Sequence, residues 1–248
     1  MTIMGTLFDK LLRRRGSHPY CAALVPAAGR SRRMGGTDKL TALLGGEPVL
    51  HRTLWALDNA RLVDEIVVAA SPDRLEEIAA LCVRAGVKKP LRVVEGGESR
   101  AQSVLMAALA ASDRCELLAV HDGARPLIRG EQVDDMVRLG QKTYAAAPAL
   151  PVTDTVKVAD TAGVVQSTPD RRSLYAVQTP QVFQANLLKA ALQSAVEANA
   201  EITDDCSAVE RLGKTVYLVP GWRENIKITT QEDLMLAETF LRERENRT

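Results

Sequence analysis

The chain has 248 residues, 46% of them apolar and 25% charged, with a formal net charge of +1, enough for one large α/β domain with a substantial core. The balanced charge excludes a global pull toward nucleic acid, and an aromatic content of 4% argues against a base-stacking single-strand binder. No uninterrupted apolar run approaches the roughly 18 residues of a membrane span.

Residues 1–18 read as an N-terminal extension and residues 19–248 as the folded domain. The extension carries Leu7-Phe8-Asp9-Lys10-Leu11-Leu12-Arg13-Arg14-Arg15, a short basic amphipathic pattern. Its positive residues follow its apolar ones, the reverse of a signal peptide. Removing residues 1–17 is expected to leave activity intact. Apolar runs then alternate with helical patterns, the signal for a mostly parallel, doubly wound sheet of Rossmann-like α/β type. Strands are expected over 21–26, 65–70, 91–95 and 117–121, with helices over 48–60, 73–85 and 100–111. Ser71-Pro72 should start the second helix with a cap and a proline in its first turn.

The alternation breaks after Pro148-Ala149-Leu150-Pro151. Short β-rich pieces around Asp160-Thr161-Ala162-Gly163 read as a hairpin too polar to bury itself, an arm over 151–174 that covers a site, meets another subunit or is a plain surface hairpin. Helices resume over 184–198, 204–212 and 231–245, with a strand near 214–219 and a late strand Asn225-Ile226-Lys227-Ile228-Thr229. Cys21, Cys82, Cys115 and Cys206 are scattered without a C-x-x-C pair. Neither zinc ligation nor a disulfide framework is expected, and a reducing cytoplasm fits.

Four polar clusters fall where an open parallel sheet binds ligands, beyond the carboxyl ends of its strands. The first is Pro26-Ala27-Ala28-Gly29, followed by Arg32, Arg33 and Lys39. Small residues let the backbone turn successive N–H groups toward phosphate oxygens, and the cations stand on the same rim. It is neither a Walker loop nor a dinucleotide fingerprint. A plain Gly/Ala turn with solvated arginines would share its composition. The second cluster, Glu95-Gly96-Gly97-Glu98-Ser99-Arg100-Ala101-Gln102-Ser103, permits close backbone approach to a base or ribose. The third, His121-Asp122-Gly123-Ala124-Arg125-Pro126, offers a carboxylate and a guanidinium to one ligand, or closes its own turn as an ion pair. In the fourth, Lys227 lies between apolar residues and so calls for an anionic partner or a solvent-exposed end.

The loop A-A-G-x-x-x-R-M with Lys39 resembles the signature of sugar-phosphate nucleotidyltransferases. With E-G-G-x-x-R-x-x-S-V, V-H-D-G-A-R-P, P-V-T-D-T-V-K, D-R-x-x-L-Y-A-V-Q-T-P-Q-V-F, I-T-D-D-x-S-A-V-E and N-I-K-I-T, the chain resembles the 2-C-methyl-D-erythritol 4-phosphate cytidylyltransferase family from residue 21 to about 240. The resemblance implies transfer of CMP from CTP to methylerythritol 4-phosphate, releasing pyrophosphate, in non-mevalonate isoprenoid synthesis. It implies that Pro26, Ala27, Ala28, Gly29, Gly97, Glu98, Ser103 and Ala124 bind CTP, with Arg33, Lys39 and Lys227 as the catalytic cations. It implies that Asp122, Arg125, Thr179 and Thr203 surround the polyol phosphate. Thr155 and Arg171, on the arm, would complete a second subunit's site in a homodimer. Mg²⁺ or another divalent cation would be held mainly by CTP, with Asp122 as a possible helper. Three positions depart from the family's common pattern: Asp38 replaces a proline before Lys39 and offsets its charge, Gly123 stands for alanine, and Ser99 for an acid. Transfer to ribitol 5-phosphate, or nucleotide binding without turnover, would use similar residues.

Overall fold

A computed structural model of the chain describes residues 18–29 and 38–246. Residues 1–17 of the extension and the cations Arg32 and Arg33 lie outside the described residues. Strand β1 (Cys21–Pro26) is followed by a small hairpin of β2 (Leu43–Leu44) and β3 (Glu47–Pro48), helix α1 (Val49–Asn59), β4 (Glu65–Ala70), α2 (Leu75–Ala85), β5 (Leu91–Glu95), α3 (Arg100–Ala110) and β6 (Leu117–Val120). The expected alternation is present, with one local difference. Pro72–Arg74 forms a 3-10 turn before α2, and Ser71 makes no side-chain cap; its hydroxyl is buried without a partner among the described residues.

Helix α4 (Gly130–Thr143) and strand β7 (Ala145–Pro151) follow, both absent from the sequence expectation. The helix buries Val133, Met136, Val137 and Gly140, an i, i+3, i+4, i+7 stripe interrupted by the charged Asp134, Asp135 and Arg138. Of the two prolines that read as a break, Pro148 lies in the middle of β7 and Pro151 at its end, and the strand holds its place because its early alanines sit in the core. The arm is a short pair, β8 (Val158–Ala159) and β9 (Val165–Ser167), exposed along its length. After it come β10 (Tyr175–Val177), β11 (Gln181–Gln184), α5 (Ala185–Glu197), α6 (Asp205–Arg211), β12 (Tyr217–Pro220) and α7 (Gln231–Glu245).

The main sheet joins eight strands. Ala146 of β7 pairs with both Val182 and Tyr217, and Ala149 with both Val177 and Pro220. Strands β10 and β11 therefore share one edge of β7 as a single strand interrupted at Gln178–Pro180, while β12 takes the other edge. This interrupted strand runs antiparallel to β6 and β7, and the remaining pairs are parallel. Alternate residues of β1 face opposite layers, as strand geometry requires. Cys21, Ala23 and Val25 pack with α1, α2 and α4; Ala22 and Leu24 pack with α3, α5 and α6. Burial of both faces explains why these strands read as continuous apolar runs.

The segment Asn225–Thr229 is not a strand. Its apolar alternation does not reflect a ladder: Ile226 N–H donates to Glu224 O, and Ile228 N–H to Ala124 O at 2.8 Å. Ile228 is buried with Leu44, Leu127 and Leu241, which fixes Lys227 beside the carboxyl end of β6.

Candidate functional site

The chain visits β1, β4 and β5 on one side and then crosses to β6 on the other side of β1, creating the crevice in which such sheets bind ligands. Two backbone bonds carry the loops out of the strands: Ala27 N–H to Ala69 O and Gly96 N–H to Ala70 O, both 2.7 Å. A Cβ at Gly96 would come within 2.9 Å of Ser103 Oγ, and one at Gly97 within 2.3 Å of Gln102 Cβ, so a side chain at either position would crowd the start of α3. Beyond them, Ser99 and Gln102 form a reciprocal capping box on α3, with the Gln102 Oε1 also accepting the Glu98 N–H at 2.8 Å. Ser103 donates its single hydroxyl proton to Ser99 O (2.9 Å) or Gly97 O (3.1 Å), leaving lone pairs free to accept.

One cavity gathers Pro26, Ala27, Ala28, Gly29 and Lys39 with Gly97, Glu98, Ser103, Asp122, Ala124 and Lys227. Lys39 lies over the first turn, its Nζ 3.8 Å from where a Cβ on Gly29 would stand. Asp38 pairs with Arg74 and accepts the Leu40 N–H at 2.6 Å. Its carboxylate is directed at those groups.

Asp122, at the end of β6, forms the cavity's charged floor. Its Oδ1 accepts from Arg100 Nη1 at 3.0 Å, and its Oδ2 lies 3.0 Å from Lys227 Nζ and 3.3 Å from Arg125 Nε. Burial opposes the charged carboxylate, but Arg100, Lys227 and Arg125 outweigh it and hold its pKa far below the usual range. The anionic partner that Lys227 requires is therefore Asp122. Arg125 is itself buried and donates to Asn225 O at 2.7 Å, so it stands behind Asp122 and closes the turn.

A hydrogen-bonded layer supports this floor. Asp122 N–H donates to Thr179 Oγ1 (3.0 Å), and that hydroxyl meets His121 Nδ1 (3.0 Å). His121 Nε2 faces Arg125 O at 3.1 Å. A carbonyl only accepts, so Nε2 carries the proton and the neutral ring accepts the Thr179 hydroxyl at Nδ1. Burial pushes the His121 pKa down to about 4. Asn225 Nδ2 returns to Thr179 O at 2.8 Å, tying the C-terminal segment to the interrupted strand.

Arg33, assigned with Lys39 and Lys227 by resemblance, lies outside the described residues. Thr179 is buried behind Asp122, and Thr203 is exposed just before α6. Thr155 and Arg171 lie on the exposed arm, where Arg171 donates to Thr153 O at 3.0 Å; neither joins the cavity of its own chain. Sequence reasoning quoted Arg100, Gln181 and Asp205 inside motifs without giving any of them a role. The signal available was an arginine one turn beyond a Gly-Gly pair; its two partners are remote in sequence.

No cluster of three His, Cys, Asp or Glu side chains able to hold a metal occurs among the described residues. A hard cation seeks several oxygen ligands, whereas both oxygens of Asp122 already face cations. The donor set does not fit a resident metal centre.

The profile of the 2-C-methyl-D-erythritol 4-phosphate cytidylyltransferase family matches residues 21–243. A relative of that name from Caldanaerobacter subterraneus subsp. tengcongensis is 42% identical over 223 residues, 89% of this chain and 98% of the relative. The crystal structure of 4-diphosphocytidyl-2C-methyl-D-erythritol synthase from Anaerococcus prevotii superposes with a TM-score of 0.79 at 30% identity, covering 91% of this chain and all of that one (100%). That of 2-C-methyl-D-erythritol 4-phosphate cytidylyltransferase from Thermus thermophilus gives 0.72 at 33% identity, over 90% and 99% of the two chains. The matched span includes every described loop that lines the cavity, and the chain belongs to the 2-C-methyl-D-erythritol 4-phosphate cytidylyltransferase family.

Proposed function

We propose that the chain transfers CMP from CTP to 2-C-methyl-D-erythritol 4-phosphate, giving 4-diphosphocytidyl-2-C-methyl-D-erythritol and pyrophosphate in the non-mevalonate route to isoprenoids. The observation that carries this reading is the convergence of Lys39, Lys227 and Asp122 on one cavity with the turns at 26–29 and 97–98. The acceptor's phosphate monoester has a second pKa near ~6 and is already anionic at neutral pH. It needs no general base, which agrees with the one histidine near the site, His121, being buried and neutral.

The difficulty of the reaction is bringing two polyanions together. Like unit charges about 4 Å apart repel by about 4 kcal/mol at an effective dielectric of about 20. A phosphate oxygen of the acceptor attacks the α-phosphorus of CTP, the bond to the bridging oxygen breaks, and pyrophosphate leaves. Lys39, Lys227 and Arg33 offset the charge that gathers there. Lys227 keeps two of its three ammonium protons for phosphate while the third holds Asp122. Asp122 accepts a hydroxyl of the polyol. Mg²⁺ enters with the triphosphate as part of the substrate.

The exposed arm, with Val158, Val164 and Val165 unburied, supports a homodimer in which Thr155 and Arg171 reach the partner's acceptor site. Four unpaired cysteines support a cytoplasmic location, and no described helix is long and apolar enough to cross a membrane. Pyrophosphate release from CTP, measured with methylerythritol 4-phosphate and with ribitol 5-phosphate, tests the reading. Turnover with the first acceptor is expected; none with it, or a preference for the second, overturns it.

A further inference from the structure

Arg100 is the first residue of α3 and itself lines the cavity beside the 97–98 turn, with its guanidinium taken up by two carboxylates. Its Nη1 donates to Asp122 Oδ1 at 3.0 Å and its Nη2 to Asp205 Oδ2 at 2.7 Å. Asp205 is completely buried, and its Oδ1 has no partner among the described residues. A carboxylate removed from water in this way is costly unless a cation stands against it, and Arg100 is that cation. Burial raises the Asp205 pKa, countered in part by Arg100. Asp205 is in turn fixed from β11: Gln181 Oε1 accepts the N–H groups of Asp205 and Cys206, both at 3.1 Å, while Gln181 Nε2 donates to Asp204 Oδ2 at 2.8 Å.

We propose that Arg100 and Asp205 are positioning residues for the transfer, a carboxylate–guanidinium–carboxylate bridge that sets the orientation of Asp122 against the nucleotide turn. The inference rests on the cytidylyltransfer reading above. Because Arg100 holds Oδ1, Asp122 presents Oδ2 to Lys227 and the cavity. The same guanidinium ties the 97–98 turn, on the nucleotide side, to the 203–205 segment and Asp122, on the acceptor side. The planar fork of arginine can hold two carboxylates in fixed directions; a lysine at this position keeps the charge and loses the fork. Misplacement of a reacting group by about 1 Å can lower a rate by roughly 10²-fold.

The test is steady-state pyrophosphate release by the full chain, varying CTP and methylerythritol 4-phosphate separately, with thermal unfolding of each variant. Arg100→Lys is expected to lower kcat about 10- to 100-fold while KM for CTP stays within about threefold. Asp205→Asn, isosteric and outside the cavity, should lower kcat about tenfold and raise KM for the acceptor. Because the effect runs through Asp122, Arg100→Lys added to Asp122→Asn should cost less than about threefold further. A merely structural arginine would multiply the two losses, and that result overturns the proposal, as does wild-type kcat in Arg100→Lys. If Arg100→Lys does not fold, the pair Asp205→Asn and Asp205→Asn/Asp122→Asn decides by the same criterion. Wild-type chain that releases no pyrophosphate sinks the functional reading, whereas active wild type beside an unaffected Arg100→Lys sinks only the bridge.

Discussion

Lys227 Nζ and Asp122 Oδ2 are 3.0 Å apart and join the C-terminal segment to the end of β6 at the floor of the cavity. The pair is one side of a cage: Arg100 and Arg125 hold the same carboxylate from other directions. Asp122 therefore remains ionised and compensated without Lys227, which leaves that lysine able to serve phosphate.

Lys227→Ala is accordingly expected to leave the fold intact while lowering turnover on the order of 10³-fold, the scale associated with removing a cation from a phosphoryl-transfer transition state. Pyrophosphate release and a thermal melt on one preparation check this. Near-normal turnover in the folded variant would remove Lys227 from the chemistry.

Gly97→Ala should act on the nucleotide side alone. The added methyl would meet Gln102 Cβ at 2.3 Å and disturb the capping box that organises the turn, a loss of about 1 kcal/mol. KM for CTP is expected to rise more than KM for the acceptor, and equal changes in both would show that the turn does not belong to the nucleotide.

Acid should weaken the fold through His121. Its pKa in the fold is about 4, below the ~6.5 of a free histidine, so the unfolded chain binds the proton first. Stability then falls as pH drops from about 6.5 to about 4, by roughly 3 kcal/mol for this group, and levels off below. The depressed pKa of Asp122 acts lower still, its stabilisation fading only beneath the usual carboxylate range. Urea midpoints measured between neutral and mildly acid pH should show the fall. His121→Gln, which cannot titrate, should flatten it; an unchanged slope in that variant would assign the acid sensitivity elsewhere.

The arm can be tested by complementation. Arg171→Ala should impair use of methylerythritol phosphate far more than CTP binding. If Arg171 serves the partner's site, co-expression of Arg171→Ala with Lys227→Ala yields mixed dimers in which one site is whole. With random pairing this restores about a quarter of wild-type activity. No recovery in a preparation proven to contain mixed dimers would confine Arg171 to its own subunit.

What was legible in the sequence was local. The apolar runs of β1, β4 and β6 show their burial directly, because both faces of a parallel strand are covered. The small residues at 26–29 and the Gly-Gly pair at 96–97 betray a backbone that must approach a ligand closely, since a side chain there would occupy the space. The arm was legible for the opposite reason: it had too few apolar groups to pack against the core.

Only the tertiary structure decided which charges meet. Residues 225–229 have the alternation of a strand, yet the partner of Ile228 N–H is a loop carbonyl at Ala124, because the place at the edge of β7 belongs to β12. The stripe of α4 was written in the chain, but its polar company hid it until β7 and β11 supplied the surface it covers. Arg100 meets Asp122 and Asp205 because sheet order brings the ends of β5, β6 and the start of α6 to one crevice. Periodicity records what each element buries along its own length; the compensation of buried charge depends on distances that exist only once the sheet has closed.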